Sequence, residues 1–133
     1  MQGAYIGYKD ITKLSFNELK EELDLLNNKI KEYTGEEIDL YFRPPEGKFD
    51  RRSLEYINKL GYKTIFWSIA YVDWYQDKSY GRDYVLNNVI NNLHNGAICL
   101  MHTVSKDNAT YLADVIDQIH NEGYSIKNLD SIN

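Results

Sequence analysis

Apolar side chains recur at intervals of three and four residues in the first part of the chain, a spacing that places them on one face of a helix. The apolar run over 16–33 follows a capping box, in which Ser15 and Glu18 satisfy each other's free backbone donors. Gly35 follows the run and suits the left-handed conformation that ends many helices. The pattern therefore predicts a first helix between Ser15 and Gly35.

Three further segments have the same helical spacing, and short segments rich in β-branched and aromatic residues alternate with them. The helices are predicted after Asp50, over 82–93, and from Ser105 or Asp107 onward, and the strands over 40–42, 63–67, 97–101 and 124–127. A regular order of helix, glycine and strand favours right-handed crossovers, which give a parallel sheet with helices packed outside it. The sequence thus predicts an α/β fold with four helix-strand units and no internal linker.

Composition narrows the classes of protein to which the chain can belong. Its 133 residues and 43% hydrophobic content suit one domain with one core, and they exclude a disordered chain. A net charge of -5 has the wrong sign for a protein that binds nucleic acid by neutralising phosphates. No apolar run approaches the roughly 18 residues of a membrane span, and residues 1–5 lack the basic start and apolar middle of a signal peptide. Cys99 is the single cysteine, which excludes an intrachain disulfide and a cysteine-built zinc site.

Polar residues that follow the predicted strands are the candidate functional residues, because loops at the carboxyl ends of parallel strands converge on one crevice. Arg43 follows the first strand, in a turn that Pro44, Pro45 and Gly47 stiffen. A guanidinium held in one direction suits either a structural cap of the turn or a contact in a site. Both interpretations of Arg43 stay open from the residues alone.

The second and third strands are followed by an acid and an imidazole. Asp73 and Trp74 lie in an aromatic loop, which suits contact with a sugar or a peptide as well as packing over the end of the sheet. The two-residue period of a strand points Leu100 and His102 to the same side, whereas Cys99 points to the other and shares no metal with His102. Asp73 and His102 are the one Asp/His pair with positional support, in which a carboxylate orients an imidazole that acts as a general acid.

Three motifs resemble, in order and spacing, the last three motifs of the polysaccharide deacetylase (NodB-like) family of metal-dependent carbohydrate de-N-acetylases. They are Arg43-Pro44-Pro45-Glu46-Gly47, Asp73-Trp74 and Leu100-Met101-His102. The flanking segments 41–45, 66–70 and 102–109 are similar to the subgroup that deacetylates N-acetylmuramic acid on the way to muramic δ-lactam in spore peptidoglycan. The resemblance extends from about Lys9 to the C-terminus.

The resemblance implies a fold and a set of roles. The fold is the C-terminal part of a deformed (β/α) barrel with fewer than eight units, in which a divalent metal such as zinc activates water against the acetamide carbonyl. Arg43 is expected to orient the catalytic base, Asp73 to orient the imidazole, and His102 to protonate the leaving amine. The implied substrate pocket, which receives the acetyl methyl, contains Trp74, Leu100, Pro45 and Gly47.

The first two motifs of the family, which supply the base and the metal ligands, find no match in the sequence. The first is expected upstream of Met1, and Ala4 and Tyr8 stand where the second motif has its two histidines, in a lead segment over 1–14. We therefore expect one partial deacetylase domain over 1–133, with no metal ligand and no cofactor of its own.

These departures leave more than one function open. The first hypothesis is an inactive or truncated deacetylase fragment, whose family acts on peptidoglycan or a related N-acetylated glycan. The alternatives are a carbohydrate-binding or interaction remnant without catalysis, and a half-barrel that forms a homo-oligomer to cover its exposed strand edges. Members of the family act outside the cytoplasmic membrane or at the cell wall, and the compartment of this chain stays undecided.

Overall fold

The computed structural model describes residues 9–132, which form two compact units, unit 1 up to Phe66 and unit 2 from Trp67 onward. Ala4 and Tyr8, the residues of the degenerate second motif, lie outside the described residues. None of the helices over 9–132 is long and apolar enough to cross a membrane.

Within residues 9–66, two helices accompany two short strands. α1 spans Phe16–Thr34, β1 spans Tyr41–Phe42, α2 spans Arg51–Lys59 and β2 spans Lys63–Thr64, with 3-10 turns at Ile11–Lys13 and Pro45–Gly47. α1 begins with the predicted capping box and ends at Gly35, whose φ of 78° is one that glycine adopts without strain. β1 and β2 pair in parallel, which confirms the predicted strand direction. The core of unit 1 contains Ile11, Leu19, Leu23, Ile38, Phe42, Ile57 and Tyr62.

Over residues 67–132 the chain forms two helices and a single parallel bridge between extended segments. α3 spans Arg82–Ile90, α4 spans Lys106–Asn121, and a 3-10 turn spans Leu129–Ser131. The bridge joins Ile69 to Cys99, and the backbone N–H of Leu100 donates to the carbonyl of Ile69 at 2.9 Å. The buried residues Tyr71, Val85, Val89 and Val115 form the core of unit 2.

The helices confirm the sequence prediction, whereas the predicted strands are shorter than expected. β2 ends at Thr64 rather than at residue 67, the segment 97–101 contributes only the bridge at Cys99, and the segment 124–127 forms no strand in the described part of the chain. The N–H of Tyr124 donates to the carbonyl of Ile119 at 3.1 Å, which closes the end of α4 instead of continuing a ladder. The prediction of a fourth strand is therefore wrong.

The third helix also ends earlier than predicted, at Ile90 rather than at residue 93. The N–H groups of Asn92 and Leu93 donate to the carbonyls of Val89 and Ile90, three residues back, at 3.2 Å each. This tighter turn ends the α-helix because its bonds span three residues rather than four.

Candidate functional site

A buried carboxylate holds an imidazole at the end of the parallel bridge in unit 2. Asp73 lies four residues after Ile69, and His102 lies three residues after Cys99, so the bridge places the two chain segments side by side. Asp73 Oδ1 lies 2.6 Å from His102 Nδ1, and Asp73 Oδ2 accepts the backbone N–H of His102 at 2.7 Å. The sequence predicted this pair, and the structure brings it together.

Burial differs sharply between the two partners. The side chain of Asp73 is 2% exposed, whereas that of His102 is 30% exposed. A carboxylate removed from water must be compensated by hydrogen bonds, and both of its oxygens accept them here. Because Nδ1 faces Asp73, Nε2 lies on the opposite side of the ring, where a partly exposed imidazole can exchange a proton with a ligand.

Asn108 is a third member of this group, and sequence reasoning gave it no role. Its Nδ2 donates to Asp73 Oδ2 at 2.7 Å and to the backbone carbonyl of His102 at 3.0 Å. The residue is 6% exposed and lies in the first turn of α4, three residues after the N-cap Ser105. The signal that could have found it is a polar side chain in a helix turn that directly follows the candidate histidine.

Tyr71 completes the network from the other side of Asn108. Its hydroxyl donates to Asn108 Oδ1 at 2.7 Å, and the residue is 7% exposed. Burial raises the pKa of the phenol far above its ordinary value, and the nearby charge of Asp73 adds to the rise. Tyr71 therefore stays a protonated donor, which fixes the orientation of the Asn108 amide and its two N–H groups.

The two predicted pocket residues of unit 2 flank this network. The Trp74 ring meets the His102 ring edge to face, with centroids 6.1 Å apart at 80°, and Trp74 is 50% exposed. Leu100 is half-buried and is anchored by its backbone bond to Ile69. An aromatic ring thus stands beside the imidazole, and the roles of Trp74 and Leu100 in a substrate pocket stay predictions.

The loop after Trp74 is tied to the start of α4 by Asp107. Its carboxylate accepts the Ser79 hydroxyl at 2.6 Å and the backbone N–H groups of Tyr80 and Gly81 at 2.5 and 3.2 Å. These hydrogen bonds, that of Ser79 first, lower the pKa of Asp107 below its usual value. Ser105 rather than Asp107 is therefore the N-cap of α4, and Asp107 fixes the loop.

The remaining predicted residues lie in unit 1, on the turn after β1. Arg43 is half-buried, and Pro45 begins the 3-10 turn that ends at Gly47. The N–H of Gly47 donates to the carbonyl of Pro44 at 3.0 Å, and Gly47 has a φ of 68°. Two prolines and this hydrogen bond give the stiff turn that the sequence indicates.

Within 9–132, no group of three or more His, Cys, Asp or Glu side chains comes together in a way that could hold a metal ion. The described residues therefore do not fit the divalent metal that the resemblance implies.

Comparison with known proteins gives the chain a clear set of relatives. A family model described as Polysaccharide deacetylase matches residues 6–65. An uncharacterized 30.6 kDa protein of Geobacillus stearothermophilus is 46% identical over 94% of this chain and 47% of its own length. The peptidoglycan-N-acetylmuramic acid deacetylase PdaA of Bacillus subtilis is 39% identical over 94% of this chain and 48% of its own length. The chain thus spans about half the length of the curated relatives it matches.

Solved structures of family 4 carbohydrate esterases match the fold of this chain. The structure of Bacillus subtilis PdaA, a family 4 carbohydrate esterase, matches with a TM-score of 0.88 and covers 94% of this chain and 53% of that chain. A pseudoenzyme of the same esterase family from Bacillus anthracis matches at 26% identity, with a TM-score of 0.80, over 94% of this chain and 43% of that chain. The fold is therefore that of the corresponding part of these NodB-like barrels.

Proposed function

Because this chain belongs to the polysaccharide deacetylase family, we propose that it carries the proton-donating side of a site that removes N-acetyl groups from peptidoglycan or a related glycan. The reaction class is hydrolysis of a carbon–nitrogen bond that is not a peptide bond. Support for the substrate class comes from relatives whose names specify peptidoglycan N-acetylmuramic acid and N-acetylglucosamine.

The chemistry of the reaction explains why the site needs an imidazole in a fixed position to donate a proton. Water adds to the carbonyl carbon, the carbon–nitrogen bond breaks, and acetate and an amine leave. The amine nitrogen must receive a proton as the bond breaks, because an unprotonated amide nitrogen is a very poor leaving group. We assign this proton to His102 Nε2, and Asp73 holds the ring in place through Nδ1.

One observation carries the proposal: a carboxylate that is 2% exposed lies 2.6 Å from Nδ1 of a histidine that stays partly exposed. The 30% exposure of the His102 side chain permits contact with a ligand, which a fully buried histidine could not make. Trp74 and Leu100 are proposed to receive the acetyl methyl, since both adjoin the ends of the segments that carry Asp73 and His102.

The roles of the unit 1 residues are proposed from the resemblance. Arg43 would orient a catalytic base, and Pro45 and Gly47 would form part of the substrate pocket. The stiff turn that follows β1 supports these roles, because it fixes the backbone next to Arg43.

A chimera tests the proposed function. Residues 9–132 would replace the matching half of Bacillus subtilis PdaA, and acetate release from peptidoglycan glycan strands would be measured. We expect an active chimera, a loss of about 100-fold or more in rate for His102→Asn, and little change for the exposed His120→Asn. A folded chimera without activity, or one that His102→Asn leaves unchanged, would contradict the proposal.

A second candidate function is binding of glycan without catalysis, combined with self-association. Trp74 at 50% exposure favours glycan binding, and the exposed apolar residues Leu112, Ile126 and Ile132 of unit 2 favour pairing with a second copy. Light scattering distinguishes a monomer of this chain from a dimer. A dimer that Leu112→Glu dissociates supports self-association, and a monomer at high concentration contradicts it.

A further inference from the structure

Asn108 has every polar atom of its side chain engaged within the group that holds the candidate proton donor. Its Nδ2 donates to Asp73 Oδ2 and to the backbone carbonyl of His102, and its Oδ1 accepts the hydroxyl of Tyr71 at 2.7 Å. An amide offers two N–H groups and one oxygen, and each of them has a partner here. The residue is buried, and hydrogen bonds shielded from water are stronger than exposed ones.

The start of α4 does not explain this use of the amide. The N-cap is Ser105, whose hydroxyl accepts the backbone N–H of Asn108 at 3.2 Å, so the helix end is satisfied without the Asn108 side chain. For the bond to Tyr71 alone, apolar side chains of the same shape would serve stability about as well. What an apolar side chain could not supply is the pair of N–H groups directed at Asp73 and His102. The amide therefore points to a role in orienting these two residues.

The segments that carry Asp73 and His102 need such a link, because backbone pairing does not reach them. In the described part of the chain, the parallel pairing of unit 2 is the single bridge at Ile69 and Cys99. Asp73 lies four residues beyond Ile69 on one segment, and His102 lies three residues beyond Cys99 on the other. Asn108 joins the carboxylate on the first segment to a backbone carbonyl on the second. α4 thus provides a cross-link where a longer ladder would otherwise hold the two segments.

The two oxygens of Asp73 have different partners as a result. Oδ2 accepts two N–H groups, one from the backbone of His102 and one from Asn108, each at 2.7 Å. Oδ1 faces His102 Nδ1 at 2.6 Å. A carboxylate held by two donors on one oxygen cannot rotate without weakening both bonds, so Oδ1 stays directed at the ring. The partner of one ring nitrogen sets the tautomer and orientation of an imidazole.

We propose that Asn108 is a positioning residue of the site, which acts through Asp73 to hold the His102 ring with Nε2 turned away from the carboxylate. The proposal rests on the proposed function for the reaction that His102 performs, whereas the hold on the ring exists with or without that reaction. A hydrogen bond to a charged group is worth roughly a factor of ten or more in an equilibrium. Loss of the amide should therefore lower the fraction of molecules in which the ring is correctly placed.

The test needs a variant that removes the amide and leaves no buried group unsatisfied. Asn108→Leu in a Tyr71→Phe background meets this condition, because the unpartnered hydroxyl is removed together with the amide. In this variant the carbonyl of His102 keeps the backbone N–H of Ser105 at 3.3 Å, and Asp73 Oδ2 keeps the backbone N–H of His102. Asn108→Ala in the same background, which adds no larger group, is a second and independent variant.

Two controls separate orientation from stability. Tyr71→Phe alone keeps the amide and its N–H groups, so it isolates the contribution of Asn108. Val115→Ala lowers the stability of unit 2 by truncating a core side chain that is 2% exposed and lies outside the hydrogen-bonded group.

Exchange of the His102 Nδ1 proton with water, measured by NMR on the full chain without substrate, reports the hold on the ring. Exchange requires the contact between Nδ1 and Asp73 to open. We expect exchange to be about tenfold or more faster in both double variants than in Tyr71→Phe, and unchanged in Val115→Ala. Equal exchange in the double variants and in Tyr71→Phe would overturn the proposal. An equal acceleration in Val115→Ala would do so as well, because it would trace the effect to stability.

Kinetics of the PdaA chimera give a second measurement that a merely structural role would not move. The double variants should lower kcat by about tenfold or more relative to Tyr71→Phe and leave KM unchanged, because Asn108 acts on the proton donor rather than on the glycan. A higher KM with an unchanged kcat would overturn the assignment. An inactive chimera with the wild-type residues would instead contradict the proposed function, and the exchange measurement would still decide the role of Asn108.

Discussion

Removal of the Asn108 side chain tests whether the buried network acts as one unit. Asn108→Ala deletes a donor to the carboxylate of Asp73 and a donor to the carbonyl of His102. It also leaves the buried Tyr71 hydroxyl without the acceptor it has in the wild type. Loss of a hydrogen bond to a charged group costs about 1.5–3 kcal/mol, and a buried polar group left unsatisfied costs about 1–3 kcal/mol. We therefore expect a loss of about 3–5 kcal/mol in the free energy of unfolding.

A double-mutant cycle isolates the contact between Asn108 and Tyr71. Tyr71→Phe removes the hydroxyl, so that Asn108→Ala in this background no longer leaves an unsatisfied donor. The loss in the free energy of unfolding of the double variant should therefore be smaller, by about 1–3 kcal/mol, than the sum of the losses of the two single variants. Asn88→Ala is the matched control, because its amide donates to a carbonyl of its own helix at 2.8 Å and should cost less than about 1 kcal/mol.

Urea unfolding followed by tryptophan fluorescence measures these changes. Both tryptophans of the chain, Trp67 and Trp74, belong to unit 2, so the fluorescence reports on the unit that holds the network. Circular dichroism of each variant provides a second probe of the transition. The idea that these side chains act as one unit would be refuted if the losses of the two single variants added up to that of the double variant within about 0.5 kcal/mol. An Asn108→Ala variant as stable as Asn88→Ala would refute it as well.

Two further predictions concern the loop and its pH dependence. The pKa of Asp107 is lower in the folded chain, so its stabilisation is present above the unfolded pKa of about 3.9 and is lost as pH falls through the folded value. Asp107→Asn should therefore lower the free energy of unfolding at neutral pH and reduce its decrease as the pH falls below about 4. An unchanged decrease at acid pH would contradict the role of the Asp107 carboxylate. Gly81 has a φ of 86° and a ψ of 175°, a conformation that essentially only glycine adopts, with open space around it. Gly81→Ala and Gly81→Asn should therefore each cost about 1–3 kcal/mol through the backbone alone, and a Gly81→Ala variant as stable as the wild type in thermal unfolding would contradict this.

The helices could be predicted from the sequence because their signals are local. The capping box at Ser15 and the spacing of apolar residues each involve side chains within a few positions of one another. The extent of the strands could not be predicted, because a ladder depends on a partner strand that the local pattern does not specify. The segment 124–127 has a composition typical of strands, but Tyr124 donates back to α4.

The candidate site shows the same division between local and distant information. The pairing of Asp73 with His102 follows from the rule that strand ends meet at one edge of a parallel sheet. Asn108 and Tyr71 could not be found in this way, since their hydrogen bonds depend on how α4 packs against the bridge. Asn108 and Tyr71 hold the candidate pair through tertiary contacts, which leave no signal in motif spacing.

The protonation of the His102 ring tests the assignment of the proton donor most directly. A long-range 1H–15N spectrum of the full chain distinguishes the two neutral forms of the imidazole. We expect the neutral ring to carry its proton on Nδ1, directed at Asp73 Oδ1 at 2.6 Å, and Asp73→Asn to abolish this preference. A neutral ring that carries its proton on Nε2 in the wild type, or a form that Asp73→Asn leaves unchanged, would contradict the proposed role of His102.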